Sequence, residues 1–364
     1  MSTEKIPLSE VAPICAWRRQ SKAKLAPPAA ADFEGKAVLF IGATGVILSE
    51  AARILADLQP TTIILGVRNV EKGEALADGL RKSHTKLDVK IWEVDFLSFE
   101  SVKRLATTIN DYGRIDAIVM GTAAIQHETK LTKDGWEETL QLLHLSTALL
   151  MALILPQILA SEAESGRPPV VLSSISSLSI RTAARAIKLP AAPEESFLGR
   201  FRRLDLTAEE QAYQYGVTKI INLCWIRELC ARLPPPPAPP SSSGPHSSSA
   251  ASANVHIHAP DPGVCASPLS TNNTPSKVFL WLFGRPVEMS ARVVVNSCRP
   301  IAGSHGKLLV DYDVAPFPEY MDRKLGLEMR SRIWSETREA LIEAVPETES
   351  FFTALSDETA VLLC

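Results

Sequence analysis

A tyrosine and a lysine four residues apart form the pair most suggestive of chemistry in this sequence. Tyr215 and Lys219 lie in the segment YGVTK at the start of a helical pattern, so both side chains share one face of the helix. A lysine ammonium beside a phenol favours the phenolate and lowers the pKa of the tyrosine. The pair therefore predicts a tyrosine that exchanges a proton with a substrate near neutral pH.

Two predicted strands end in residues that would meet this pair. One ends in Ser173-Ser174, and another is followed by Pro262-Gly263. In an open α/β sheet, ligands bind outside the carboxyl ends of the strands. We therefore expect these residues to lie beside Tyr215, where a serine hydroxyl could bind a substrate oxygen and stabilise the charge that develops on it.

A glycine turn follows the first predicted strand. Gly42 and Gly45 stand between the strand at 37–41 and a helical pattern, the setting in which a helix N-terminus cradles a dinucleotide pyrophosphate. Arg68 follows the second strand, which carries no Asp or Glu where a ribose 2′-hydroxyl would be held. Because an arginine suits a 2′-phosphate, we predict NADP(H) rather than NAD(H).

Strands and helices alternate along the chain, and this arrangement would position the site. Apolar, β-branched runs occur at 37–41, 61–67, 89–94, 117–120, 169–174, 255–259 and 307–310, and helical patterns at 50–58, 71–81, 99–110, 134–160, 208–233, 288–297 and 325–344. Apolar strands separated by helices predict a doubly wound parallel sheet with helices on both faces. We expect one α/β domain of about seven strands over 33–364, after an N-terminal arm at 1–32.

Residues 234–253 depart from this pattern. They contain seven Pro and seven Ser and too few apolar residues to form a core, which predicts a disordered insertion. The insertion joins a helix end to a strand start, so we expect it at the amino edge of the sheet, far from the chemistry. A spacer is the favoured role, and a polyproline ligand for an SH3 or WW domain is the alternative.

Composition and cysteine usage exclude several classes of protein. The chain has 38 Lys and Arg against 41 Asp and Glu, and a net charge of −3 argues against electrostatically driven nucleic-acid binding. Six cysteines show no CxxC pair, and His256 and His258 lack a third ligand at matching spacing, so we predict no disulfide framework and no metal site.

The apolar stretch at 148–155 is shorter than the roughly 18 residues of a membrane span. The N-terminus carries no signal-like apolar core, so we expect a cytoplasmic protein.

Together the motifs resemble the short-chain dehydrogenase/reductase family, in the retinol-dehydrogenase-like branch that includes many reductases of fungal secondary metabolism. The resemblance runs from about residue 32 to 344 and rests on ordered segments, among them DFEGKAVLFIGATG, GVRNVEKGEAL, VVLSSIS, YGVTK and DPGVCASPL. It implies a Rossmann fold and an NADP(H)-dependent oxidoreductase. Such an enzyme would interconvert a carbonyl and an alcohol on a small, lipophilic substrate, an intermediate of secondary metabolism.

The resemblance also implies a role for each matching residue. Tyr215 would be the general acid/base, Lys219 would lower its pKa and hold the nicotinamide ribose, and Ser174 would bind the substrate oxygen. Asp95 would bind the adenine ring. The implied cofactor-binding set is Gly42, Gly45, Ile47, Leu48, Arg68, Asp95, Gly121, Tyr215, Lys219, Pro262, Gly263, Val264 and Ser267.

Several positions depart from the family pattern. Leu48 stands where the family has a third glycine, Gly121 begins the segment that matches the family's NAG, and Leu143 replaces the asparagine of the catalytic tetrad. These departures support an alternative, a pseudo-reductase that acts as a binding or scaffold protein. Family members often form homodimers or tetramers through the helices expected at 134–160 and 208–233, so the resemblance is compatible with a homo-oligomer.

Overall fold

Eight strands form one sheet in this protein, seen in a computed structural model that describes residues 24–123, 129–162, 167–187, 189, 195–236, 254–266, 280 and 284–355. The strands are β1 (Ala37–Ile41), β2 (Thr62–Val67), β3 (Asp88–Glu93), β4 (Ala117–Met120), β5 (Val170–Ser174), β6 (Val255–Asp261), β7 (Leu308–Val310) and β8 (Asp313–Ala315). Their order is β3-β2-β1-β4-β5-β6-β7-β8. The pairs from β3 to β7 are parallel, and β8 pairs antiparallel with β7.

This sheet confirms the predicted doubly wound α/β fold. The chain order reverses at β1, which pairs with β2 on one side and with β4 on the other. Such a reversal opens a crevice at the carboxyl ends of the strands, where these folds bind ligands. The sequence gives no sign of β8, because its three residues are exposed or half-exposed and form no apolar run.

Within the described residues, seven long helices cover the sheet. They are α1 (Val46–Ala56), α2 (Val70–Ser83), α3 (Phe99–Tyr112), α4 (Ser146–Glu162), α5 (Gln214–Arg232), α6 (Val287–Asn296) and α7 (Lys324–Ala344). Alternate residues of β1 face opposite sides: Leu39 and Ile41 join a core with α3, α4, α5 and α7, whereas Val38 and Phe40 join a core with α1, α2 and α6. The sheet is therefore buried on both faces, as its apolar strands predict.

Two predicted helices are divided in the structure. The pattern at 134–160 is realised as a short helix Glu138–Leu140, a π-helical turn Gln141–Leu145 and then α4. The pattern at 208–233 becomes a short helix Ala208–Ala212 followed by α5, since the backbone at Tyr213 leaves the helical region. The π-helical turn inserts an extra residue at the point where the family would place a catalytic asparagine.

The helical segment Glu138–Ser161 is long and apolar enough to cross a membrane by length and composition, but 72% of that window is buried inside the protein. It packs against α3 and belongs to the larger of the two cores. A helix that is apolar all round and covered by its own protein is typical of a core helix.

The N-terminal arm and the insertion are described in part. Residues 24–32 of the arm contact the domain: Arg292 donates to the carbonyl of Leu25, and Arg299 lies 3.2 Å from Asp32. Only 234–236 of the insertion at 234–253 lie among the described residues. Asn254, which follows it, donates from Nδ2 to the carbonyl of Arg167 just before β5, so the chain re-enters at the amino edge of the sheet, as expected.

Candidate active site

Tyr215 and Lys219 lie near the carboxyl end of β5, where Ser174 ends the strand. Ser174 is the last residue of this strand and is only 2% exposed. The Nζ atom of Lys219 donates to the carbonyl of Ile175 at 2.5 Å and lies 5.8 Å from the ring centroid of Tyr215. The structure thus places Lys219 between Tyr215 and the residue that directly follows Ser174.

Close packing of a short helix holds Tyr215 in place. A Cβ atom at Gly216 would lie 2.5 Å from the Cβ of Ala183, so the helix Ser179–Ala183 touches the backbone of α5 directly. Upstream, Thr207 and Glu210 form a capping box at the start of the short helix that precedes α5. The beginning of α5, and with it Tyr215, is therefore fixed by contacts on both sides.

Burial dominates the acid–base properties of the pair. It raises the pKa of Tyr215 to about 12, with the Ser177 hydroxyl acting in the opposite direction and the Asp261 carboxylate adding to the rise. Burial lowers the pKa of Lys219 to about 8, against the attraction of Asp261. The expectation that Lys219 lowers the pKa of Tyr215 is thus not met here, because desolvation of the phenolate is the larger effect and the ammonium is directed at Ile175. Near neutral pH the tyrosine keeps its proton, which it can then donate.

The two serines of the motif face opposite sides of β5. The Ser174 hydroxyl oxygen accepts a hydrogen bond of 2.9 Å from Nδ2 of Asn222 on α5. Ser173 instead shares a hydrogen bond of 2.8 Å with the hydroxyl of Ser297. Sequence reasoning missed Asn222, although its position seven residues after Tyr215 places it two turns further along one helix face.

The glycine turn has the geometry of an anion cradle. Gly42 has φ of +87°, and a Cβ atom there would lie 3.2 Å from the carbonyl oxygen of Gly121. Gly45 precedes the first residue of α1, with its N–H donating to the carbonyl of Gly42 at 2.9 Å. Gly45 and Val46 are exposed, and the first N–H groups of a helix have no partner within it. Backbone donors here are open to an anion.

Leu48 does not obstruct this cradle. Its side chain is 2% exposed and points into the core. A Cβ atom on Gly121 would lie 2.6 Å from Cδ1 of Leu48 and 2.8 Å from Cδ1 of Ile175. The glycine at 121 therefore makes room for the leucine at 48, and the two departures from the family pattern compensate each other.

The remaining cofactor-binding candidates lie at the same edge of the sheet. Arg68 directly follows β2 and is exposed, and Ile47 in the first turn of α1 is half-buried. Asp95 lies just after β3, half-buried, with a carboxylate oxygen that accepts the N–H of Leu97 at 2.9 Å. These positions surround the glycine turn from the side of β2 and β3.

A buried arginine, missed in the sequence, fixes the loop after β6. The Arg285 side chain donates from Nε to the carbonyl of Pro262 at 2.8 Å. Its backbone N–H donates to the carbonyl of Val264, also at 2.8 Å. Gly263 has φ of +73°, and its N–H donates to the carboxylate of Asp261. The loop predicted to cover a nicotinamide is therefore held on both sides, whereas Ser267 lies outside the described residues.

Leu143 and the two histidines of β6 are buried and have structural contacts. Leu143 is buried in the π-helical turn, so an apolar side chain occupies the position of the tetrad asparagine. His256 and His258 both bond to the hydroxyl of Ser304, at 2.7 and 2.9 Å. No cluster of three or more metal-ligating side chains occurs within the described part of the chain.

Comparison with known proteins places this geometry in a family. No family model matches the chain. The short chain dehydrogenase sol3 of Alternaria solani is 30% identical over 254 residues, which cover 68% of this chain and 80% of that protein. The short-chain dehydrogenase/reductase tropG of Talaromyces stipitatus is 28% identical over 335 residues, 87% of this chain and 94% of that protein.

Solved structures share the fold. A complex of RhlG from Pseudomonas aeruginosa with NADP has a TM-score of 0.53 and 19% identity, covering 76% of this chain and 94% of that chain. L-sorbose reductase from Gluconobacter frateurii, complexed with NADPH and L-sorbose, has a TM-score of 0.54 and 16% identity, covering 78% and 98%. Sequence relatives and fold agree, and the chain therefore belongs to the short-chain dehydrogenase/reductase family of oxidoreductases.

Proposed function

We propose that this oxidoreductase uses NADP(H) and interconverts a carbonyl and an alcohol at Ser174, Tyr215 and Lys219. The observation that carries the proposal is the position of Tyr215 and Lys219 near the carboxyl end of β5, where Ser174 ends the strand, next to an open glycine turn at the start of α1. Hydroxyl, phenol and ammonium groups in one place supply the hydrogen bonds and the proton that carbonyl reduction needs.

The residues around the glycine turn fit a dinucleotide phosphate. The backbone of Gly42, Gly45 and Ile47 would hold the pyrophosphate, and the exposed Arg68 would pair with a 2′-phosphate. Lys219 would hold the nicotinamide ribose. When bound, the cofactor supplies the hydride that adds to the carbonyl carbon. Solved relatives of the fold that hold NADP or NADPH support this choice.

The protein's own groups then handle the substrate oxygen. The Ser174 hydroxyl donates a hydrogen bond to it and stabilises the negative charge that builds up during reduction. Tyr215, with a pKa raised to about 12, holds its proton and gives it to that oxygen, and takes a proton back in the reverse direction. Lys219, with a pKa of about 8, can supply the proton that restores Tyr215 after Tyr215 has donated its own.

The proposed substrate is a lipophilic intermediate of secondary metabolism. This class rests on the resemblance to fungal secondary-metabolism reductases, and the relatives from Alternaria solani and Talaromyces stipitatus support it. Of the apolar segment at 277–283, only Leu280 lies among the described residues. The chain between Ser174 and Tyr215 is the proposed substrate side.

A titration with NADPH and NADH tests the proposal. Purified protein should show saturable nicotinamide fluorescence and a raised thermal midpoint with NADPH, and a weaker response to NADH. The protein should also oxidise NADPH with para-nitrobenzaldehyde, and Tyr215→Phe should slow this reaction by about 10²-fold or more. Absence of binding at millimolar concentrations of both cofactors would favour the scaffold alternative, to which the apolar Leu143 points.

A further inference from the structure

Behind Ser174 lies a buried chain of polar side chains that the proposed reaction does not use. The Asn222 amide donates from Nδ2 to the Ser174 hydroxyl oxygen at 2.9 Å, and Asn222 is only 3% exposed. On the far side, His144 is fully buried, and its Nε2 lies 2.8 Å from the hydroxyl oxygen of Thr337 on α7. Four side chains from four separate elements thus line up from α7 to β5.

Asn222 and His144 face each other in the middle of this chain. Burial lowers the pKa of His144 to about 3, and the Asn222 side chain beside it acts in the opposite direction. The Nδ1 atom of His144 and the Oδ1 atom of Asn222 are both buried without a hydrogen-bond partner among the residues that the structure describes. A buried polar atom without a partner destabilises the fold, and a small approach of these two atoms would satisfy both.

The donors and acceptors fit together in one direction only. The Asn222 NH₂ group can only donate, so the Ser174 oxygen must accept from it. The Asn222 oxygen can only accept, so a neutral His144 would present Nδ1–H to it and accept the Thr337 hydroxyl proton at Nε2. In this arrangement the Ser174 hydroxyl proton has no partner within the chain of side chains, and neither has the second amide proton of Asn222.

We propose that Asn222, supported by His144 and Thr337, is a positioning residue that aims the Ser174 hydroxyl proton at the substrate oxygen. The inference rests on the proposed function, because it assigns a cause to the orientation of the serine in that site. With its oxygen held by the amide, Ser174 has a fixed rotamer and donates to the substrate rather than to a backbone carbonyl. Such preorganised donors stabilise the transition state because they need no reorientation during the reaction.

The test is a double-mutant cycle between Asn222→Leu and Ser174→Ala. With para-nitrobenzaldehyde as probe, Asn222→Leu should lower kcat about tenfold, while the Kd for NADPH, measured by fluorescence, stays unchanged. Ser174→Ala should lower kcat about 10²-fold or more, and adding Asn222→Leu to it should have no further effect. Residues that act through one another show this non-additivity.

Two other variants separate positioning from stability. Asn296→Leu removes another buried asparagine, on α6, and should leave kcat unchanged. Thr337→Val removes the hydroxyl at the far end of the chain and should lower kcat two- to threefold, again only when Ser174 is present. The thermal midpoint of every variant shows whether the fold is retained.

The outcomes discriminate between the two proposals. If Asn222→Leu keeps the kcat of the wild type, or loses the same factor with and without Ser174, the positioning role is refuted. If Ser174→Ala itself reacts as fast as the wild type, the proposed catalytic site is wrong instead.

Discussion

The side chain of Leu48 occupies the space that a side chain at position 121 would need, so the leucine and Gly121 fit each other across the start of the cradle. Each residue, taken singly, departs from the pattern of the family. Together they let α1 lie close to β4 with its N-terminus open, so neither departure argues against cofactor binding.

Gly121→Ala should therefore destabilise the protein by about 1–3 kcal/mol, because the new methyl group overlaps Leu48 and Ile175. Leu48→Ala alone leaves a cavity and should lower the free energy of unfolding by about 2–5 kcal/mol. This loss should be smaller when Leu48→Ala is combined with Gly121→Ala. Urea unfolding of the two single variants and the double variant measures this coupling. Simple additivity would show that the two side chains do not share one space.

Arg68→Ala should weaken NADPH binding about 10- to 100-fold, because a charge-assisted contact to the 2′-phosphate is lost. NADH binding should stay unchanged. The arginine is exposed at the end of β2, so its removal leaves the core intact. Fluorescence titrations of both cofactors give the two Kd values. Lys72→Ala, in the exposed helix that follows, is the matched control and should change neither. An equal loss for NADPH and NADH would remove the basis for NADP(H) preference.

Lys219→Met should make the folded protein more stable at neutral pH while abolishing most of the activity. Burial lowers the pKa of Lys219 from 10.5 to about 8, so below pH 8 the native state carries a buried charge that the unfolded chain holds in water. Burying this charge lowers the free energy of unfolding by about 3 kcal/mol at neutral pH. The loss shrinks as pH rises from 8 to 10.5, where the unfolded chain also loses the proton. The thermal midpoints of the wild type and of Lys219→Met should therefore differ less at pH 10 than at pH 7. A constant difference between them would contradict the assigned pKa.

Stability should fall as pH drops below about 6.5. Burial lowers the pKa of His258 to about 3 and that of His256 to about 4, so these imidazoles stay neutral in the fold while the unfolded chain protonates them. Each contributes a loss of about 1.4 kcal/mol per pH unit between 6.5 and its folded pKa. Urea unfolding between pH 5 and pH 7 measures the slope, and His258→Gln should reduce it. A slope unaltered by this substitution would place the proton uptake elsewhere.

Most of the sheet could be predicted from the sequence because strand formation and burial leave a local pattern. The seven parallel strands appear as short apolar runs, and a parallel strand order puts the residues that follow each run at one edge. Ser174 was predicted at that edge for this reason, and Tyr215 and Lys219 were predicted from their four-residue spacing on a helix. β8 was not predicted, because its three residues form no apolar run.

Contacts between residues distant in sequence were decided only by the tertiary structure. The match of Leu48 with Gly121, the hold of Arg285 on the loop after β6, and the Asn222 contact to Ser174 each join segments that no local pattern relates. The raised pKa of Tyr215 was likewise decided only by the tertiary structure. Spacing along a helix places a lysine near a phenol, but the balance between charge attraction and desolvation depends on how much water the surrounding fold removes.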